Sequence, residues 1–200
     1  LVRMIEANIL PIVPSRGSLG ASGDLIPLAH LALGAIGEGD ARIEGRVAKT
    51  ADLFRGNGMA PLSLQAKEGL ALINGTQAMT SVGALALLEA AEVLRAAHVA
   101  CALSVDAARG SAKAFDPRVH AVRPHPGQRD SAAALRTLLA GSGILASHEG
   151  CDKVQDPYSL RCAPQVLGAS IGAYRYAREV VVTEVNSVSD NPLCFADTGE

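Results

Sequence analysis

The chain has 200 residues, with 18 Lys and Arg against 20 Asp and Glu, and a formal net charge of −2 at pH 7. So small a net charge argues against a nucleic-acid or membrane-surface role, and the nearly uncharged runs are shorter than the roughly 20 residues of a membrane span. Four scattered cysteines without a Cys-x-x-Cys pair favour a reducing, cytoplasmic setting.

The first part of the chain predicts short elements around a glycine-rich loop. Residues 1–13 form an apolar segment that Pro11 and Pro14 close into an extended approach to that loop. Apolar spacing then predicts a helix over 24–36, and a weakly alternating stretch predicts a small β-hairpin. Further elements are predicted as follows: the hairpin over 41–50, one helical turn over 52–55 and a helix over 61–73.

The second part predicts two long helices. Residues 76–109 lack proline and are apolar on nearly every side, so we expect a helix buried among other helices. His98 lies inside it and is expected to be a satisfied core residue rather than a ligand. Beyond it the sequence predicts irregular chain over 111–128, a helix over 129–139 and a loop over 141–154. Asp156-Pro157 is then predicted to be an N-cap followed by a first helical position. The helix that follows is expected to be broken or kinked at Pro164 and to end near 185.

These elements predict an all-α fold, a helical bundle with a small β-hairpin excursion. Hydrophobic residues reach 48% and aromatic residues only 3%, a composition that suits closely packed helices because alanine is the best helix former. Nothing marks a domain boundary, so residues 1–200 are expected to form a single domain. Because the chain begins with Leu1 and ends with Glu200 just after an Asp-Asn-Pro turn, we expect an internal fragment of a longer protein.

The glycine-rich loop at residues 17–25 contains an Ala-Ser-Gly tripeptide that could cyclise. Attack of the Gly23 nitrogen on the Ala21 carbonyl would close a five-membered ring, and loss of one water would make it an imidazolone. Loss of a second water from Ser22 would leave an electrophilic methylidene. Small residues permit this compression. The same stretch also fits an ordinary turn in which Ser22 or Asp24 is a helix N-cap.

Two other stretches carry polar side chains suited to an amino acid. Asn74 offers an amide donor and acceptor to a ligand, although Asn74-Gly75 also fits a simple helix stop. Gln155, Tyr158 and Arg161 are spaced by three and would face one side of a helix. Here Arg161 could grip a carboxylate with both ends of its guanidinium, Tyr158 could exchange a proton near an amine, and Gln155 could orient a ring. A capped helix start with an exposed arginine explains the same residues.

Other chemistries find little support in the sequence. The five histidines show no ligand spacing with one another or with cysteine, so no metal site is predicted. Ser22 does not lie in a strand-to-helix nucleophile elbow. The glycine spacing lacks both the preceding strand and the lysine of a phosphate-binding loop.

Residues 16–30 (Arg-Gly-Ser-Leu-Gly-Ala-Ser-Gly-Asp-Leu-Ile-Pro-Leu-Ala-His) closely resemble the prosthetic-group signature of the aromatic amino acid ammonia-lyases. Residues 68–76 resemble the segment of that family whose asparagine contacts the prosthetic group and substrate. Residues 154–162 match a third family segment very closely, and 125–128 and 186–193 add support without an assigned catalytic role. The motifs occur in one order and cover nearly the whole chain.

This resemblance implies the α-helical fold of the aspartase and fumarase superfamily and a homotetramer whose active sites combine residues from three subunits. It implies that Ala21, Ser22 and Gly23 become a 4-methylidene-imidazol-5-one group, with no external cofactor and with Ser22 providing the electrophilic carbon. It also implies a set of residues around the substrate, with Tyr158 catalytic and Arg161 on the carboxylate: Asn74, Gln155, Tyr158 and Arg161.

The activity implied is elimination of ammonia from L-histidine to give trans-urocanate, the first step of histidine degradation. The wording of residues 157–162 is closer to the bacterial histidine branch than to the plant phenylalanine branch. The catalytic base and the residues that select the substrate ring would lie outside residues 1–200. A tyrosine or phenylalanine ammonia-lyase or an aminomutase therefore stays open, as does a catalytically silent helical scaffold. The isolated chain is expected to be inactive.

Overall fold

The computed structural model describes residues 1–195 and 197–199, and it is mostly helical with one small sheet. The prediction of an all-α fold with a β-hairpin excursion is confirmed. The chain forms two compact units, Leu1–Gly83 with Thr183–Glu200, and Ala84–Val182. The single domain over 1–200 stays a prediction, and residues 196 and 200 lie outside the described part. Among the described residues, no helix is both long and apolar enough to cross a membrane.

The first unit contains short helices and a three-stranded antiparallel sheet in the order β1-β2-β3. Residues 1–13 contain a helix in addition to the predicted extended approach, and the predicted helix over 61–73 begins only at Glu68. The elements are α1 (Val2–Glu6), β1 (Leu10–Pro11), α2 (Leu25–Ala35), β2 (Asp40–Ile43), β3 (Arg46–Lys49), α3 (Thr50–Gly56) and α4 (Glu68–Ile73).

The predicted hairpin is confirmed by the pairing of β2 with β3, in which Ala41 lies opposite Ala48. Glu44 and Gly45 both have positive φ, as a two-residue turn that matches the twist of the strands requires. The sheet and the short helices enclose a core of Met4, Ile9, Ala35, Ala41 and Phe54.

The long helix predicted over 76–109 is observed as α5 (Gln77–Ala107), 31 residues long. The expectation that it is buried is wrong for this chain, since its buried residues are His98, Ala102 and Val105. Several of its other apolar side chains, including Leu85 and Leu88, are exposed. His98 is a satisfied core residue, as predicted. Its Nδ1 donates to the Leu94 carbonyl at 2.7 Å, and its Nε2 accepts from the Ser131 hydroxyl at 2.9 Å.

The second unit packs Phe115, Val105, Ala132 and Leu135 into its core. More of it is helical than predicted, because Pro117 and Pro126, within the stretch predicted to be irregular, stand at first helical positions. The remaining elements are a 3-10 helix (Ala112–Phe115), α6 (Pro117–Ala121), α7 (Pro126–Leu139), α8 (Gly143–Ala146), α9 (Tyr158–Arg161) and α10 (Ala163–Val185).

The predicted N-cap at Asp156 is wrong. The residue that precedes α9 is Pro157, and the buried Asp156 carboxylate instead accepts the Ser111 N–H at 2.6 Å. A distant backbone amide has therefore replaced the local one as its partner. The break near Pro164 is confirmed, because α9 ends at Arg161 and α10 begins at Ala163.

Helices α7 and α10 meet at two glycines. A Cβ on Gly168 would lie 2.7 Å from the carbonyl carbon of Gly127, and one on Gly127 would overlap the carbonyl of Gly168. Beside them, the buried Gln128 donates from Nε2 to Nδ1 of His120 at 2.9 Å and accepts from Arg123, while His120 Nε2 donates to the Ala114 carbonyl at 3.0 Å. The Pro-Gly-Gln stretch is thus part of the packing of this unit.

Candidate active site

The glycine-rich loop reverses tightly at its Ala-Ser-Gly tripeptide. Ser22 and Gly23 have φ of +57° and +85°, so two successive residues adopt left-handed conformations. The Ala21 N–H donates to the Leu19 carbonyl at 2.8 Å, and Ala21 and Ser22 are exposed. A non-glycine residue such as Ser22 rarely adopts this conformation, and such outliers concentrate at functional sites.

The alternative of an N-cap is only partly met. Asp24 stands at the N-cap position of α2, but its side chain makes no capping hydrogen bond. The Asp24 carboxylate instead accepts from the Ser18 hydroxyl, across the base of the loop. The start of α2 therefore keeps uncapped N–H groups, whose partial positive charge lies just after the tripeptide.

Gly23 pairs with Gly75 in an isolated parallel β-bridge. A Cβ on Gly23 would lie 2.8 Å from both the carbonyl carbon and the nitrogen of Gly75, closer than real Cβ atoms approach other atoms. Gly75 itself has φ of +152°, and a Cβ there would lie 2.9 Å from the Ser189 hydroxyl oxygen. The structure therefore brings the tripeptide and the Asn74 segment together, within the first unit.

Asn74 lies at the end of α4 in an extended conformation and is 7% exposed. Its Nδ2 donates to the Asn191 carbonyl at 2.9 Å. The carboxylate of Asp190, which precedes Asn191, forms an ion pair with Lys67. The Lys67 hydrogen bond is the main reason why the pKa of Asp190 lies below its ordinary value of 3.8.

Gln155, Tyr158 and Arg161 lie in the second unit. The predicted common helix face is correct only for Tyr158 and Arg161, because α9 begins after Pro157 and Gln155 precedes it. Tyr158 is 73% exposed. The Arg161 guanidinium carbon lies 5.8 Å from the centre of the Tyr158 ring, and Arg161 Nε donates to the Asp156 carbonyl at 2.8 Å.

Gln155 and Arg161 line an open pocket of about 340 Å³. Its lining includes four basic side chains (Arg109, Lys113, Lys153 and Arg161) against two acidic ones (Glu149 and Asp156). Lys153 lies 3.3 Å from Asp156, so this pair partly cancels. The remaining excess of positive charge suits a carboxylate, which the planar fork of an arginine can bind through two parallel hydrogen bonds.

The described residues fit a backbone-derived prosthetic group better than a metal. Consecutive left-handed residues and a glycine held against another backbone would favour closing a ring through residues 21–23. Among residues 1–195 and 197–199, no group of three or more His, Cys, Asp or Glu side chains is placed to hold a metal ion.

Sequence reasoning missed that the 189–192 segment (Ser189, Asp190, Asn191 and Pro192) contacts Asn74 and that Lys67 binds this segment. The 186–193 stretch predicts only a turn. An Asp-Asn-Pro turn indicates its own local shape and not the distant chain that it contacts. The joint occurrence of this stretch and the Asn74 segment in related sequences is the one signal that could have pointed to the contact between them.

Comparison with known proteins gives one consistent family. Residues 1–200 match the family model described as aromatic amino acid lyase. A curated histidine ammonia-lyase from Gloeobacter violaceus is 55% identical over 200 residues, which are 100% of this chain and 39% of that protein. The chain thus spans well under half the length of this relative.

Two solved structures resemble this chain closely. A tyrosine aminomutase from Streptomyces globisporus has a TM-score of 0.88 at 40% identity, covering 97% of this chain and 40% of its own. A histidine ammonia-lyase from Trypanosoma cruzi has a TM-score of 0.84 at 40% identity, covering 98% of this chain and 35% of its own. The similarity of fold therefore extends over both units.

Proposed function

The chain belongs to the aromatic amino acid lyase family, and from that premise we propose that the full-length protein eliminates ammonia from L-histidine to give trans-urocanate. The choice of histidine is supported by curated histidine ammonia-lyases at 55% identity. The observation that carries the proposal is the bridge between Gly23 and Gly75, which sets the Ala-Ser-Gly tripeptide against the Asn74 segment.

We propose that Ala21, Ser22 and Gly23 form a 4-methylidene-imidazol-5-one group without an external cofactor. The Gly23 nitrogen bonds to the Ala21 carbonyl carbon. The carbonyl oxygen leaves as water with the hydrogens of the Gly23 and Ser22 nitrogens, and a double bond forms between that carbon and the Ser22 nitrogen. A second water forms from the Ser22 hydroxyl group and the Ser22 Cα hydrogen, which leaves a carbon–carbon double bond. Once formed, the group supplies an electrophilic carbon that accepts electron density while an amino acid loses its amine.

The side chains of the first unit would receive the amino group. Asn74 commits Nδ2 to the Asn191 carbonyl, and its amide oxygen is left to accept a hydrogen bond from an ammonium. The open N-terminus of α2 favours negative charge developing at the tripeptide. Both effects favour departure of ammonia there.

We propose separate roles for the polar side chains of the second unit. Arg161 uses Nε for the Asp156 carbonyl, which fixes the plane of the guanidinium and leaves its terminal nitrogens for a carboxylate. We propose that Tyr158 exchanges a proton with the substrate, a role that its exposed hydroxyl allows, and that Gln155 orients the substrate ring.

We further propose a cytoplasmic homotetramer with active sites shared between subunits. Exposed apolar side chains along α5 and α10, such as Leu85, Leu88, Val93, Val166 and Val180, support an assembly that covers them. The four free cysteines are compatible with a reducing compartment. Light scattering of the full-length protein during size-exclusion chromatography would test the tetramer, and a monomer would contradict it.

The decisive measurement is the intact mass of the full-length protein, together with its near-ultraviolet absorbance. The mass should be lower by two waters at residues 21–23. Ser22→Ala should abolish turnover and the second loss of water while leaving the helical circular dichroism unchanged. Ser15→Ala, outside the tripeptide, should leave turnover and the loss of both waters unchanged. A mass without water loss would favour the silent helical scaffold.

One observation favours a second candidate, since a tyrosine aminomutase matches this chain at 40% identity. A tyrosine or phenylalanine ammonia-lyase or an aminomutase would use the same tripeptide. Side-by-side assays for urocanate, coumarate, cinnamate and β-amino acids would separate these activities. Urocanate as the main product is expected.

A further inference from the structure

Lys67 has an unusual conformation for a lysine. Its φ is +71°, in the left-handed region, and it stands at the N-cap position of α4 without capping that helix through its side chain. From there Nζ forms an ion pair with Asp190 and donates to the Pro192 carbonyl at 2.6 Å. A strained backbone that aims a charged side chain at two partners needs compensation, which here comes from the ion pair.

The partners of Lys67 belong to the segment that surrounds Asn74 and Gly75. Within this 189–192 segment, the Asn191 carbonyl accepts from Asn74, while the Ser189 hydroxyl accepts the Thr76 N–H at 3.2 Å. The residues on both sides of Gly75 are therefore bound to the 189–192 segment. Gly75 has no side chain of its own, so its position depends on these neighbours.

We propose that Lys67 and Asp190 are a positioning pair that holds the 189–192 segment, and through it Asn74 and Gly75, in the place where Gly75 fixes Gly23 for ring closure. This inference rests on the proposed function, because it concerns the rate at which residues 21–23 cyclise. Neither side chain touches the tripeptide in this role. The pair acts through the Gly23–Gly75 bridge.

The side-chain burial supports a role beyond the surface. The Lys67 and Asp190 side chains are 29% and 19% exposed, whereas the Lys49–Asp40 pair of the same unit is 69% and 47% exposed. Exposed pairs contribute little because water competes for both partners. A half-buried lysine that also donates to a backbone carbonyl has a defined geometry, which a positioning role requires.

The test uses the full-length protein with Lys67→Met, Asp190→Asn and Lys67→Arg, and with Lys49→Met as the matched control. Freshly purified protein is followed by intact mass and near-ultraviolet absorbance, which report ring closure directly. Unfolding midpoints and kcat and KM are measured in parallel. Ring closure should slow on the order of tenfold or more in Lys67→Met, because small displacements of reacting groups cost large factors in rate.

Asp190→Asn should slow ring closure to a similar extent, and the double variant should be no slower than either single variant, because the two residues act as one pair. Lys67→Arg should recover part of the rate, and Lys49→Met should behave as wild type. If Lys67→Met does not fold, Asp190→Asn and Lys67→Arg decide the question. Lys67→Arg retains the positive charge of the lysine, and Asp190→Asn retains the size of the aspartate.

Three results would overturn the inference, and they are distinguishable. If wild type loses two waters and the Lys67 and Asp190 variants lose them at the same rate, the pair has no positioning role. The pair also has no such role if slower closure only parallels a lower unfolding midpoint. If wild type itself loses no water, the proposed function fails, and the inference fails with it.

Discussion

Two glycine–glycine contacts, one in each unit, show how the same device serves different ends. Gly23 meets Gly75 in the first unit and Gly127 meets Gly168 in the second, and in both places a Cβ would overlap backbone atoms. The first two glycines have positive φ, whereas Gly127 and Gly168 lie in helices. Glycine is therefore required for conformation and space in the first contact, and for space alone in the second.

The residues beside the two contacts differ in exposure and in hydrogen bonding. Ser22, beside the first contact, is exposed and in a left-handed conformation. Gln128, beside the second, is buried and bonded to both His120 and Arg123. The Ser22 side chain is therefore available for chemistry, while the Gln128 amide is occupied by its two partners. Disturbing the first should affect function, and disturbing the second should affect stability.

The largest expected effect comes from Gly23→Ala in the full-length protein. The added Cβ would overlap the Gly75 backbone at a φ of +85° that alanine rarely adopts. The bridge should break, and residues 21–23 should then not lose the two waters. Without the group that this loss forms, the protein should eliminate no ammonia from its substrate. Intact mass checks the first outcome and a urocanate assay the second.

Gly20→Ala is the matched control for that change, because a Cβ at Gly20 meets nothing within 4 Å. This variant should lose two waters as wild type does. Normal ring formation in Gly23→Ala would show that the close approach of Gly23 to Gly75 is not needed for function, and the distinction between the two contacts would then fail.

Gly168→Ala should have the next largest effect, on stability rather than ring formation. Its Cβ would lie 2.7 Å from the carbonyl carbon of Gly127 and force α7 and α10 apart. We expect a loss of about 3 kcal/mol in the free energy of unfolding, as for an overpacked core, with the two waters still lost from the folded protein.

Gly172→Ala, one turn later in α10, should change the free energy of unfolding in the opposite direction, because a Cβ there meets nothing within 4 Å. It should stabilise the protein by about 0.5–1 kcal/mol, because alanine favours a helix over glycine. Urea unfolding of the two variants measures both changes. Equal effects at Gly168 and Gly172 would contradict the close contact between the helices.

Much of the first contact could be expected from the sequence, but its geometry could not. Three glycines around Ser22 indicate a tight loop, and Asn74-Gly75 indicates a helix end, because both features are local. The pairing of Gly23 with Gly75 depends on how distant segments pack, which no local pattern contains. The resemblance to known lyases identified both stretches without showing that they touch.

The same limit explains the errors in the second unit. Asp156-Pro157 has the composition of an N-cap, yet the Asp156 carboxylate binds the distant Ser111 N–H instead. Local propensity was overruled by a tertiary contact, which is the usual reason for such failures. His98 was predicted correctly because its apolar helical surroundings alone favour a satisfied core residue.

A smaller effect is expected from Gln128→Leu, which tests whether the polar groups beside the second contact are structural. Nδ1 of the buried His120 would lose its donor, and an unsatisfied buried group costs about 1–3 kcal/mol. The unfolding midpoint in urea should fall while ring formation is unchanged. The exposed neighbour Arg129→Leu should stay within about 0.5 kcal/mol of wild type.

The smallest expected effect is the response of the first contact to acid. The pKa of Asp190 is held below 3.8, mainly by the Lys67 hydrogen bond, with help from the Asn191 N–H and Asn74. Because the folded state lowers this pKa, the ionised carboxylate stabilises the folded protein at pH values above 3.8. That contribution is lost as the pH falls through the lowered pKa.

Urea unfolding of wild type and Asp190→Asn across a pH series isolates this group, since other carboxyls titrate in both proteins. Glu184, which contacts Thr76 next to Gly75, is present in both proteins. The stability difference should be constant near neutral pH and should shrink below pH 3.8. A difference that persists unchanged at lower pH would mean that Asp190 does not support the first contact through its charge.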